Sequence, residues 1–130
     1  MATPRVPPHL AHVLVVDDTD TVRRFIRRVL EDDGYSVHEA ADGLEALSLL
    51  DGGISVDLVI TDIRMPRMAG PELAEKLASR SPGLPTLFVS AYDAHAGPMD
   101  LPGPVVPKPF LPDVLLAQVG RLLYPKATLS

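Results

Sequence analysis

The sequence predicts an α/β fold, a five-stranded parallel sheet with helices on both faces. Short apolar runs alternate along the chain with segments of helical period, the pattern that builds such a sheet. The central runs, Val13 to Val16, Leu58 to Ile60 and Leu87 to Val89, are apolar throughout rather than alternating, as strands covered on both faces are. At 130 residues the chain fits one compact domain with one core.

The elements follow in order. Val13 to Val16 is the first strand. Val22, Phe25, Ile26, Val29 and Leu30 then recur at the three-and-four spacing of a helix, which Gly34 ends. Arg23, Arg24, Arg27 and Arg28 lie between them and read as its solvated face. Tyr35 to Ala40 is more mixed and suits a strand near the sheet edge. A second helix runs from a cap at Asp42 through Leu44, Leu47 and Leu50 to Gly52-Gly53. After the strand Leu58 to Ile60, a third helix starts near Pro71 with Leu73 and Leu77 inward.

Leu87 to Val89 is the fourth strand. Val105-Val106, hemmed by Pro104 and Pro107, is a short fifth. The last helix spans Pro112 to Leu123, buries Leu115, Leu116 and Val119, and stops at Pro125. Leu111 stands at its cap position, where a Ser, Thr or Asp would contribute about 1 kcal/mol, so another contact must hold that end.

Composition excludes several classes. Twelve Lys plus Arg against 17 Asp plus Glu leave a net charge of −5, which argues against nucleic acid held on a broad basic surface. The absence of cysteine removes disulfides, thiol catalysis and thiolate metal sites. Met1 to His12 is rich in Pro and Ala and lacks the apolar core of a secretory signal, and no later run is long enough to span a bilayer. Cytoplasmic location without membrane insertion is the expectation. His9, His12, His38 and His95 show no ligand spacing and are expected to be solvated or structural.

An open α/β sheet binds ligands beyond the carboxyl ends of its strands. Those ends carry Asp17-Asp18, Asp62, Ser90 and Lys108. Taken singly each has an ordinary account: a helix cap, a loop residue, a loop hydroxyl, a surface lysine with its stem on apolar neighbours. Taken together they are the groups a phosphoryl-transfer site needs. Three converging carboxylates repel unless a cation sits among them, and the hard, oxygen-seeking Mg2+ is the natural choice. One carboxylate can then attack phosphorus, while the lysine and the hydroxyl meet the phosphoryl oxygens.

Val13-Leu-Val-Val-Asp-Asp18, Thr61-Asp-Ile-Arg-Met-Pro66 followed by Gly70, Phe88-Val-Ser90-Ala91 and Lys108-Pro-Phe110 resemble the four signature blocks of response-regulator receiver domains, in order, from about His12 to Leu123. The resemblance implies a flavodoxin-like sheet of order 2-1-3-4-5 and a two-component or phosphorelay role. It implies that Asp62 accepts the phosphoryl group from a phosphohistidine on a sensor histidine kinase or phosphotransfer protein. By the same carry-over Asp18 and Asp62 ligate Mg2+ directly, Asp17 acts through a water and the Arg64 carbonyl adds a ligand. Ser90 and Lys108 stand at the family's hydroxyl and lysine positions, and the Lys108-Pro109 bond is expected to be cis.

The chain departs from the family at three points. Many receivers carry an aromatic residue three positions before the lysine; Val105 stands there, so the aromatic relay is not expected. The stretch from Ser90 to Lys108 is about one helical turn short and rich in Pro and Gly, so the helix between the last two strands is expected to be short or irregular. Arg64 and Tyr92 flank the site and are expected either to shield it from water or to be plain solvated side chains.

Residues 1–11 are expected to form a Pro-rich extension, 12–124 the receiver domain and 125–130 a tail. No effector domain is encoded here, so output by protein contact is expected. A stand-alone regulator or shuttle is the first choice, which the Met1 start favours, and a receiver from a larger hybrid kinase is the second. Two other readings stay open: a pseudo-receiver that only binds protein, and a Mg2+-dependent phosphohydrolase, which lacks an obvious second acid or base. The main reading is of an acceptor rather than an enzyme.

Overall fold

A computed structural model of the chain describes residues 11–91, 101 and 103–124. Nine elements follow one another: β1 (His12–Val16), α1 (Asp20–Asp32), β2 (Ser36–Ala40), α2 (Gly43–Asp51), β3 (Leu58–Asp62), α3 (Gly70–Arg80), β4 (Thr86–Ala91), β5 (Val105–Lys108) and α4 (Pro112–Leu123). All four strand pairings are parallel and the order is β2-β1-β3-β4-β5. Sequence and structure therefore agree on the sheet, its order and the edge position of β2. The expected short helix between β4 and β5 lies largely outside the described residues, as do the ends 1–10 and 125–130.

The two-residue period of a strand divides the core into two layers. Val13, Val15, Leu58, Ile60, Leu87 and Val89 point to one face, where Ile26 and Leu30 of α1 and Leu115 and Val119 of α4 cover them. Leu14, Val16 and Val59 point to the other, against Ala46 of α2 and Leu73 and Leu77 of α3. All these strand residues are fully buried, which accounts for the unbroken apolar runs.

Local chemistry sets the element ends. Gly34 adopts φ 100°, a left-handed conformation that suits glycine just past the end of α1. Asp42 caps α2, its side chain accepting from the Glu45 N–H at 2.8 Å. At α4 no side chain caps the first turn. The Leu111 carbonyl accepts from the N–H groups of Val114 and Leu115, and burial of Leu115 and Val119 anchors the helix.

Helix α2 turns its smallest residues inward. Its buried positions are Gly43 and Ala46, whereas Leu44 is 46% exposed. Met68 of the β3–α3 loop packs against Gly43 so closely that a Cβ there would lie 2.8 Å from its sulfur. That contact rotates the small residues, not Leu44, toward the sheet.

Candidate phosphoryl-transfer site

Because all strands are parallel, their carboxyl ends form one rim, and the register decides which residues meet there. Val16 pairs with Thr61, so Asp17 and Asp62 leave the sheet side by side. Asp62 pairs with Val89 and Ala91 with Lys108, bringing Ser90 and Lys108 to the same rim. Asp17 is fully buried, Asp62 buried, Asp18 exposed and Ser90 half-buried.

Asp17, Asp18 and Asp62 each direct a carboxylate oxygen to one point, all within 4.8 Å of one another. The Lys108 ammonium donates to Asp17 Oδ2 at 3.0 Å and to Asp62 Oδ2 at 3.2 Å. Its stem reaches inward from the end of β5, just before the cis Lys108-Pro109 bond. Asp17 Oδ1 accepts from the Thr19 N–H at 2.9 Å, and Asp62 Oδ1 accepts a longer bond from the Arg64 N–H at 3.3 Å.

Burial pushes the Asp62 carboxyl above its ordinary range. The Lys108 charge opposes that shift and the Asp17 charge adds to it. Burial works against the Lys108 ammonium too, but hydrogen bonds and charge from Asp17 and Asp62 outweigh it and hold the group above its usual value. The Lys108 ammonium thus meets two of the three clustered carboxyls. The excess negative charge, the all-oxygen donor set and the open side at Asp18 fit a small hard cation that keeps several waters, as Mg2+ does.

The β3–α3 loop is held from below. The Gly70 N–H donates to the Ile63 carbonyl at 2.9 Å, and Arg67, at φ 70°, pairs with the buried Asp42 carboxylate. The Arg64 side chain is exposed; Tyr92 lies outside the described residues.

Arg23 escaped the reading of α1 as a solvated face. Arg24 and Arg28 are exposed, but the Arg23 side chain is only 12% exposed, and its guanidinium donates to Glu39, to Asp20 and to the Asp17 carbonyl. His12 and His38 likewise meet, Nδ1 to Nε2 at 3.2 Å, as a structural contact between adjacent strands.

An open parallel sheet with an acidic rim and one inward lysine defines a phosphoryl-accepting α/β domain. The sequence model of the response regulator receiver domain matches residues 13–119, and the chain belongs to that family. It is 41% identical over 118 residues to the sensor kinase CckA of Brucella abortus, a match covering 87% of this chain and 12% of that protein. It is 40% identical over 119 residues to the response regulator MprA of Mycobacterium sp. (strain KMS), covering 85% and 50%. The chain thus spans half or less of the length of these relatives. Among solved structures, the response regulator TrrA of Thermotoga maritima, crystallised with Mg2+-BeF, superposes with a TM-score of 0.77 at 31% identity, covering 87% of this chain and 99% of that one.

Its role as a phosphoacceptor in two-component signalling follows from the family and from the acidic pocket. Among the described residues, no helix is long and apolar enough to cross a membrane.

Proposed function

We propose that this chain is phosphorylated on Asp62 by a phosphohistidine borne by a sensor histidine kinase or a phosphotransfer protein. The observation that carries the proposal is the bridging of Asp17 and Asp62 by Lys108 within a rim of three converging carboxylates. In the transfer, an Asp62 carboxylate oxygen forms the new P–O bond as the P–N bond of the donor breaks, and the departing imidazole keeps the electron pair and takes up a proton.

Asp18 and Asp62 would hold Mg2+ directly, Asp17 through a water, and the Arg64 carbonyl would complete the protein's share. The bound ion supplies charge neutralisation for the transferring group. Lys108, already within hydrogen-bond reach of Asp62, exchanges that contact for one to a phosphoryl oxygen. Ser90, at the end of β4, donates its hydroxyl to another. Hydrolysis of the aspartyl phosphate returns the domain to its starting state, so the chain is a reversible acceptor and not a turnover enzyme.

Beside Lys108, a groove of roughly 490 Å3 is lined by Thr21, Val22, Phe25, Pro109 and Phe110. The reading sets this exchange in the cytoplasm and assigns output to protein contact.

Intact mass after incubation with Mg2+ and a small phosphodonor tests the assignment. One phosphoryl adduct is expected on the wild type and none on Asp62→Asn. An adduct of equal yield on Asp62→Asn overturns it, and steady release of phosphate from a small phosphoester would favour a phosphohydrolase instead.

A further inference from the structure

The carboxylate that reaches farthest into solvent at the rim, Asp18, is the one the protein holds least. Among the described residues no hydrogen bond to its side chain is present, so its direction is set by the main chain of the turn that follows β1. That turn is fixed at three points around Asp17. The Asp17 N–H donates to the Ala40 carbonyl at 3.1 Å, continuing the β1–β2 ladder by one residue. Its carboxylate accepts from the Thr19 N–H. Its carbonyl accepts from Arg23 Nη1 at 2.6 Å. This third contact acts on the peptide that joins Asp17 to Asp18, and so on the orientation of the Asp18 Cα–Cβ bond.

Arg23 is itself fixed. Nε donates to Glu39 Oε1 at 3.0 Å and Nη2 to Asp20 Oδ1 at 2.6 Å, while Arg27 binds the second Glu39 oxygen at 2.5 Å. Glu39 stands on β2, one residue before Ala40, which receives the Asp17 N–H. The planar guanidinium spends each of its edges on a different partner, a geometry that a lysine cannot copy.

We propose that Arg23 is a positioning residue: through the Asp17 carbonyl it orients Asp18 toward the cation, with Glu39 holding the guanidinium in place. This rests on the reading of the rim as a Mg2+ site. Groups that orient a ligand typically alter metal affinity by about 10–100-fold when removed.

The sign of the effect separates positioning from simple charge. Replacing Arg23 by an uncharged residue removes a positive charge beside the acidic rim, which by Coulomb interaction alone tightens Mg2+ binding. Loss of positioning weakens it. Amide resonances of the full chain are followed by NMR during Mg2+ titration of the wild type, Arg23→Lys and Arg23→Met, with urea unfolding in parallel.

Both variants are expected to bind Mg2+ about tenfold or more weakly, with the Asp18 and Thr19 amides displaced before metal is added. Arg23→Lys binding as tightly as wild type, or Arg23→Met binding more tightly, overturns the proposal. Glu39→Gln keeps the Arg23–Asp17 contact but weakens its support; because losing that carboxylate weakens Mg2+ binding by charge alone, the readout there is the Asp18 and Thr19 amides, which are expected to be displaced before metal is added. If the Arg23 variants do not fold, unchanged Asp18 and Thr19 amides in Glu39→Gln overturn the proposal. Failure of the wild type to bind Mg2+, or binding that survives Asp62→Asn unchanged, would instead remove the underlying reading of the rim.

Discussion

Gly70 lies directly beneath the main chain of Asp62, so close that a Cβ at position 70 would stand 2.2 Å from the Asp62 carbonyl oxygen. The approach is what allows α3 to begin immediately under the end of β3. Gly70→Ala must therefore push the acceptor's backbone or the start of α3 aside, and overpacking of this kind costs about 1–3 kcal/mol. Urea unfolding is expected to show that loss. Phosphoryl adduct formation is expected to fall further than the fraction unfolded explains, because the displaced atoms belong to Asp62 itself.

Lys108 holds two carboxylates that would otherwise face each other. Lys108→Met keeps most of the apolar stem but leaves Asp17, which has no exposure, without its cation. Without Mg2+ the variant is expected to lose about 1.5–3 kcal/mol in denaturant unfolding, the range for hydrogen bonds to charged groups. Added Mg2+ is expected to restore more stability to the variant than to the wild type, because the ammonium no longer competes for the same oxygens. Phosphoryl transfer is expected to stay slow even in Mg2+.

The β3–α3 loop depends on Arg67, a non-glycine residue at φ 70° whose guanidinium pairs with buried Asp42. Replacing it separates backbone strain from the ion pair. Arg67→Gly and Arg67→Ala both lose the pair, but only Ala keeps the left-handed penalty, about 1–2 kcal/mol. Gly is expected to be the more stable of the two, by somewhat less than that because it adds freedom to the unfolded chain. Paired urea curves decide the order, and Ala at least as stable as Gly would show that the loop relaxes.

Much of the fold and the rim was legible in the sequence for a physical reason. Strands buried on both faces must be apolar throughout, and a parallel sheet gathers the residues just after them at one edge. Asp17, Asp18, Asp62, Ser90 and Lys108 could therefore be picked by position alone. Contacts that cross between elements left weaker traces. Arg23 sits in a run of arginines that matches a solvated face, and only Asp20, three residues before it, hinted otherwise; Glu39 is sixteen positions away. His12 and His38 meet through the β1–β2 register, which spacing along the chain does not reveal. The inner face of α2 is likewise set from a distance, by Met68 of the β3–α3 loop packing beside Gly43.

The amino-end side of the sheet offers a test by pH that leaves the acidic rim untouched. Tyr35, 6% exposed just before β2, has its phenol pushed up from 10.0 to about 12, mainly by burial, with Tyr124 and the charge of Asp33 adding to the shift. The folded chain therefore keeps the Tyr35 proton at pH values where the unfolded chain has lost it. Its contribution is fully present below pH 10, the unfolded value, and is lost as pH rises toward about 12. A shift of this size corresponds to roughly 2–3 kcal/mol over that window. Spectrophotometric titration is expected to show one strongly delayed tyrosinate, absent in Tyr35→Phe. The stability difference between wild type and Tyr35→Phe should shrink across the same interval, since Phe has no proton to lose; a constant difference would mean that Tyr35 ionises at an ordinary pH.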